Sequence, residues 1–257
     1  QIPEMWAMLN DPNKRVVVQY APSVRVGLAE EFGMPANEPV TGKLVTALRR
    51  LGVDVVYDTN LSADLTIMEE SAEFLEKVKS GAKLPMFTSC CPGWIQHVEH
   101  AHPNLMPQVS TAGSPMEMFG ALIRQQFKDE DVYSVAIMPC TAKKFEAARP
   151  ELGYNGLADV DIVITTRELA RMIKEANIAF ASLPDEDFDS LMGESTGAGV
   201  IFGATGGVME AALRTVYEKV TGQECKPLEF HEVRGTKDIK EAEYDLNGVK
   251  VKVAVVS

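Results

Sequence analysis

Leu84-Pro85-Met86-Phe87-Thr88-Ser89-Cys90-Cys91-Pro92-Gly93-Trp94 sets an apolar run against two small hydroxyl residues, two adjacent cysteines and a Pro-Gly pair. This order predicts a buried strand that ends in a sharp turn, with a helix opening at Trp94. Successive side chains on an extended chain point to opposite faces, so Cys90 and Cys91 are given different tasks rather than a bond to each other. Thiols set against a helix N-terminus lean toward thiolate, the form that ligates metal or moves protons. The alternative at this point is a pair of small buried hydrophobes, which free cysteines often are.

The same grammar recurs downstream. Residues 132–139 (Val-Tyr-Ser-Val-Ala-Ile-Met-Pro) read as another buried strand ending in a cysteine, Cys140, and Thr141-Ala142-Lys143-Lys144-Phe145-Glu146 opens the next turn or helix. Cysteines at the carboxyl ends of two strands stand where α/β sheets form ligand crevices. Further strands are predicted at Arg15–Tyr20 and over residues 53–57 and 160–164.

Thr41 caps a helix carrying Leu44, Val45, Leu48 and Leu51 on one face, and Gly52 stops it. From Leu65 a helical period puts Met68, Ala72, Leu75 and Val78 on one face, with Gly81 as its stop. Glu70, Glu73 and Lys77 share the opposite face, and periodicity by itself reads them as a solvated stripe. Thr165-Thr166-Arg167-Glu168 forms a capping box ahead of Leu169, Met172 and Ile173. A helix over residues 209–220 and a β region over residues 250–256 close the chain. Alternating strands and helices define an α/β protein. The expected architecture is two lobes, residues 1–130 and 131–257, each a mostly parallel twisted sheet flanked by helices. The site is expected in the cleft between them, with Cys140 at the seam.

With 257 residues, 46% hydrophobic and 24% charged, the chain is long enough for real cores and has an ordinary globular composition. A net charge of −12 argues against a nucleic-acid backbone or an anionic membrane as partner and suits a basic or neutral one. No apolar run approaches the about 18 residues of a membrane span. The first residues lack the basic-then-apolar order of a secretion signal. Four cysteines are too few for a disulfide framework and fit a reducing compartment, the cytoplasm, or the periplasm for a chain exported with a partner.

His97, His100 and His102 have no carboxylate or cysteine pattern to complete a metal site and read as surface residues. Gly193, Gly197, Gly199, Gly203, Gly206 and Gly207 lack the preceding strand and spacing of a dinucleotide fingerprint. They read instead as backbone that lets something bulky approach. Cys225, in a polar loop, reads as incidental.

Thr88-Ser89-Cys90-Cys91-Pro92-Gly93-Trp94, followed by Met138-Pro139-Cys140-Thr141-Ala142-Lys143-Lys144-Phe145-Glu146, resembles the first two signature motifs of the [FeFe]-hydrogenase catalytic domain. The resemblance runs from about Val16 to Ser257 and includes Ala21-Pro22-Ser23-Val24-Arg25 and Gly203-Ala204-Thr205-Gly206-Gly207. It implies a [4Fe–4S] cluster joined through a cysteine to a two-iron subcluster carrying CO, cyanide and azadithiolate. By motif position Cys91 and Cys140 are implied as cluster ligands, and Cys90 as the thiol that exchanges protons with the azadithiolate amine. Glu70, Glu73 and Ser110 are implied as the proton route, which reverses the solvated reading of that stripe. Lys77 stands where the family often has another basic residue. Lys143 with Pro22 and Ser23 is implied at the cyanides, and Met116, Met138 and Phe202 as packing near the two irons.

The family's third motif, which carries two further cysteines, would follow Ser257. The chain is therefore expected to be a large fragment of the catalytic domain, or one piece of a split enzyme, inactive by itself. The expected partners are ferredoxin or another electron carrier, and a companion chain or C-terminal segment supplying the missing cysteines. A non-catalytic iron–sulfur sensor or assembly protein on the same scaffold is the main alternative. A metal-free cysteine or nucleotide enzyme would need a histidine base near Cys90 or a phosphate loop.

Overall fold

A computed structural model describes residues 1–256 apart from 37, 154–155, 192–194, 226–230, 233–238 and 247. In chain order it contains α1 (Ile2–Leu9), β1 (Arg15–Tyr20), α2 (Val24–Gly27), α3 (Thr41–Leu51), β2 (Val55–Asp58), α4 (Asn60–Ser80) and α5 (Pro92–Ala101). There follow α6 (Pro115–Gln126), β3 (Val132–Met138), α7 (Ala142–Ala147), β4 (Ile162–Thr165), α8 (Thr166–Glu175), α9 (Gly197–Ile201) and α10 (Gly207–Thr221). Strands β5 (His231–Glu232), β6 (Ile239–Leu246) and β7 (Val249–Val256) complete it. None of the described helices is long and apolar enough to cross a membrane.

The described chain divides into two compact units, and neither is continuous. The first is Gln1–Ser62, Ser89–Ala101 and Gly113–Glu194; the second is Ala63–Thr88, His102–Ala112 and Ser195–Ser257. A single cut near residue 130 therefore misplaces the boundary, because the chain crosses between the units several times before β3.

The first unit is built on a parallel sheet in the order β2-β1-β3-β4. Its central strand β1, Arg-Val-Val-Val-Gln-Tyr, is buried along nearly its whole length, as a β-branched run in a sheet covered on both faces should be. Alternation splits its side chains between two cores. Val16, Val18 and Tyr20 pack with Leu44, Val45 and Leu48 of α3 and with Leu169, Met172 and Ile173 of α8. Val17 joins Val55 and Tyr57 beneath Phe119 and Ile123 of α6. The expected strands and helices of this unit are present, with β2 and β4 starting two residues later than predicted. α1 has no counterpart in the sequence reading.

The second unit differs from the expectation of a second parallel sheet. Its described strands form an antiparallel sheet in the order β5-β6-β7, with β6 and β7 in register from Ile239↔Val256 to Leu246↔Val249. Their sequences alternate charge with apolar residues, the pattern of a sheet with one wet face. Val251 packs with Val216 of α10 and with Phe74 and Leu75 of α4. At Gly207 a Cβ would collide with the carbonyl of Ile201, so α10 can leave α9 this closely only through glycine.

Two further expectations are corrected. Residues 84–90 are not a buried strand: they form only an isolated parallel bridge, Phe87 with Val109, and Leu84 is exposed. Along α4 the predicted apolar face holds at Leu75 but fails toward the helix start. Met68 is exposed, whereas Glu70 is buried together with Ala63, Thr66, Ile67 and Ser71.

Candidate functional site: two cysteine turns and a carboxylate pair on a helix

β1 and β3 lie side by side and parallel, so their carboxyl ends are neighbours; the N–H of Ala21 donates to the carbonyl of Ile137 at 2.9 Å. Pro22 and Ser23 follow β1 there and are exposed. Cys140 follows β3, two residues after buried Met138. Met116, at the start of α6, shares the core with Met138, and its carbonyl accepts from Nε2 of fully buried Gln19 at 2.8 Å.

Cys91 immediately precedes α5 and Cys140 nearly precedes α7, and these helices pack on each other. Arg149, just past α7, clamps the pair by bonding both carboxylate oxygens of Glu99 on α5, at 2.5 and 3.2 Å. The N–H of Cys91 donates to Oγ of Ser89 at 3.1 Å, and its carbonyl accepts the first helical bond from Ile95. Cys90, Cys91 and Cys140 are exposed and none is in a disulfide.

Lys143 ties the two motifs together. Its side chain is largely buried, and Nζ donates to the carbonyl of Cys90 at 2.8 Å and to Oε2 of Glu146 at 2.6 Å. The expected lean of both thiols toward thiolate does not hold at Cys90. Although the residue as a whole is exposed, desolvation at its thiol pushes the pKa up and Glu146 adds to this, while Lys143 pulls the other way and is outweighed. At this thiol desolvation outweighs any pull from the helix N-terminus.

In the second unit, α4 carries Glu70 and Glu73 one turn apart. Glu70 is 6% exposed, and burial, with the neighbouring Glu73 charge second, raises its pKa to about 7. Glu73 goes the opposite way. Burial pushes it up, but Lys77 at 2.8 Å, Ser110 Oγ at 2.7 Å and the Thr111 N–H at 3.0 Å together hold it below its ordinary value. Two carboxyls with opposed proton affinities on one helix face are the usual arrangement of an acid and a base that exchange protons. Phe202 caps α9 and is half-buried.

The structure thus groups Cys90, Cys91, Cys140, Lys143, Pro22, Ser23, Met116 and Met138 in the first unit, and Glu70, Glu73, Ser110 and Phe202 in the second. His97, His100 and His102 are exposed, and Gly193 lies outside the described residues. Sequence reading missed Glu117, Glu146 and Gln19; spacing gives no sign that they are buried.

An iron–sulfur cluster would be held by thiolates. Cys91 and Cys140 fit such a role chemically, as accessible thiols on two packed helices. They make two of the four ligands that a cubane needs. Among the described residues no group of three or more His, Cys, Asp or Glu could hold a metal ion.

Cys140 at the end of a parallel strand, the Cys90–Cys91 turn ahead of α5 and a buried lysine bonded between them define an α/β domain with a thiol-bearing site, and the comparisons give its family. The chain belongs to the family of the iron only hydrogenase large subunit, C-terminal domain, whose model matches residues 14–257. It is 50% identical to the NADP-reducing hydrogenase subunit HndD of Solidesulfovibrio fructosivorans, over 98% of this chain and 45% of that protein. It is also 50% identical to the periplasmic [Fe] hydrogenase large subunit of Nitratidesulfovibrio vulgaris, over 99% of this chain and 62% of that one.

An apo [FeFe]-hydrogenase HydA1 from Chlamydomonas reinhardtii superposes with a TM-score of 0.83 at 44% identity, covering 95% of this chain and 64% of the other. More distant is the cytosolic Fe-S cluster assembly factor narfl of Xenopus tropicalis, 30% identical over 92% of this chain and 52% of its own length. The chain spans about half to two thirds of the length of these relatives.

Proposed function

We propose that this chain forms most of the catalytic domain of an enzyme that reversibly reduces protons to hydrogen. The observation that carries the reading is the Glu70–Glu73–Ser110 arrangement: one buried carboxyl holds its proton near neutrality, and the next is an anion bonded to a hydroxyl. A protein that only senses or carries a cluster has no use for carboxyls tuned apart in this way.

When bound, a [4Fe–4S] cluster with a two-iron subcluster bearing CO, cyanide and azadithiolate would relay electrons and supply the metal centre. Cys91 and Cys140 would hold it as thiolates, two of the four ligands that a cubane needs. Cys90 keeps a proton at Sγ for transfer, consistent with its upward shift. The Lys143 ammonium, fixed by Glu146 and the Cys90 carbonyl, offers a preorganised donor to anionic ligands; Ser23, whose φ-fixed neighbour Pro22 carries no N–H, offers its own N–H and hydroxyl. Met116, Met138 and Phe202 are the resemblance's candidates for apolar packing near the two irons, and the first two are buried in the core of the first unit. Protons pass along Ser110, Glu73 and Glu70, and electrons arrive from ferredoxin or another carrier in the cytoplasm or periplasm.

A second reading, an iron–sulfur assembly protein, is favoured by the more distant relatives. Cys90→Ser in the full-length protein separates the two. On the hydrogenase reading it nearly abolishes turnover while the bound iron is unchanged; a fully active variant overturns the proton role.

A further inference from the structure

Glu117 occupies the third position of α6, behind its N-cap Ser114, in the same Ser/Thr-x-x-Glu spacing as Thr165 and Glu168 at the start of α8. The two ends differ. At α8 the box closes both ways: the Glu168 N–H donates to Thr165 Oγ1 at 3.2 Å, and the Thr165 N–H donates to Glu168 Oε2 at 2.8 Å. Lys144 adds an ion pair at 2.7 Å, and Glu168 is held below its ordinary pKa against its burial.

At α6 the Glu117 N–H donates to Ser114 Oγ at 3.4 Å, but the carboxyl does not return. It is turned inward, 3% exposed, with both oxygens buried and neither hydrogen-bonded. An ionised carboxylate in such a place carries a large desolvation cost, and a proton removes it.

The surroundings identify what Glu117 acts on. Gly120 and Arg124 continue its face of α6 along residues 158–161. A Cβ at Gly120 would lie 2.6 Å from the Asp159 carbonyl, and Arg124 Nε donates to the Ala158 carbonyl at 2.9 Å. The charged groups facing Glu117 are Glu146 and Lys143 of α7 and Asp159. β1 and β3 also pack on α6, and their titratable side chains are otherwise engaged. Arg15 pairs with Glu130, the Tyr20 hydroxyl is directed to the Thr41 carbonyl, and Tyr133 donates to Glu4. Burial, then Glu146, then Asp159 raise the Glu117 pKa to about 8, with Lys143 opposing.

We propose that Glu117 is a positioning residue for Lys143: while protonated it leaves the ammonium paired with Glu146 and directed at the Cys90 carbonyl, and when ionised it competes for that ammonium. The proton on one buried carboxyl thereby sets where the lysine points. The inference deepens the hydrogenase reading and rests on it only for the consequence at bound cyanide.

Infrared spectroscopy of the full-length protein tests both levels. Prepared without its cluster, the protein should show the carbonyl stretch of a protonated carboxyl at pH 7 that fades as the pH passes about 8. The component that titrates near 8 should persist in Glu70→Gln and be absent in Glu117→Gln, which keeps only the Glu70 component near 7. Loaded with cluster, the cyanide bands should shift across the same pH range in the parent and stay fixed in Glu117→Gln. Glu70→Gln needs no folding of the Glu117 variant to expose the remaining carboxyl signal. Absence of that signal at pH 7, or cyanide bands equally responsive in parent and Glu117→Gln, overturns the proposal. Absence of all cyanide bands would overturn the hydrogenase reading and leave the carboxyl result standing.

Discussion

Lys143 Nζ donates to the carbonyl oxygen of Cys90 at 2.8 Å across a sequence separation of 53 residues. This bond joins the turn after Ser89 to the turn after β3, and together with the Arg149–Glu99 pair it fixes one cysteine motif on the other. The ammonium's second bond, to Glu146, keeps that charge compensated where water is scarce.

Lys143→Met leaves the Glu146 carboxylate and the Cys90 carbonyl without their donor. Breaking such a pair by removing one partner costs about 3 kcal/mol. Urea denaturation should show this loss, and Lys143→Arg should not restore it, because a planar guanidinium cannot take the place of a compact ammonium.

Glu73→Gln removes the anion that accepts from Ser110 and pairs with Lys77. The ion pair is only partly buried, so the stability change should stay within about 1 kcal/mol. Turnover by the full-length enzyme should fall by about 100-fold, the usual contribution of a positioned proton-transfer group. A hydrogen-evolution assay with unchanged iron content checks this.

Much of the first unit was legible. The Val16-Val17-Val18 run, the Leu44-Val45-Leu48 face stopped by Gly52, and the box at Thr165 each carry a local signal that packing did not override. The second unit was less so. Lys250 and Lys252 alternate with valines in β7, which marks a half-wet antiparallel strand, yet only a β region was inferred there. Glu70 shows the limit of periodicity: an exposed charged stripe and one with a buried carboxyl have the same spacing. Glu117 lay beyond periodicity too, since its burial comes from residues 158–161 and from α7, far along the chain.

Glu70 also gives the protein a distinctive pH response. Its folded pKa, raised from 4.5 to about 7, means the native state binds the proton more tightly than the unfolded chain. Stability is then lost as the pH rises from about 4.5, and the loss levels off near 7. Glu70→Gln should match its parent near pH 4 and exceed it at pH 7 by on the order of 2 kcal/mol. Chemical denaturation at the two pH values decides the sign.

Gly120→Ala places a methyl group 2.6 Å from the Asp159 carbonyl, a contact that backbone atoms must move to relieve. Overpacking of this kind costs about 1–3 kcal/mol. The melting temperature should fall accordingly, whereas Gly27→Ala, at a position with open space, should leave it nearly unchanged.

The infrared spectrum of the loaded, full-length protein bears most directly on the assignment of Cys91 and Cys140 to a hydrogen-forming centre. The account predicts bands of metal-bound CO and cyanide in the parent and their loss in Cys140→Ala. Iron–sulfur absorption without any such bands would contradict it and leave the assembly reading in its place.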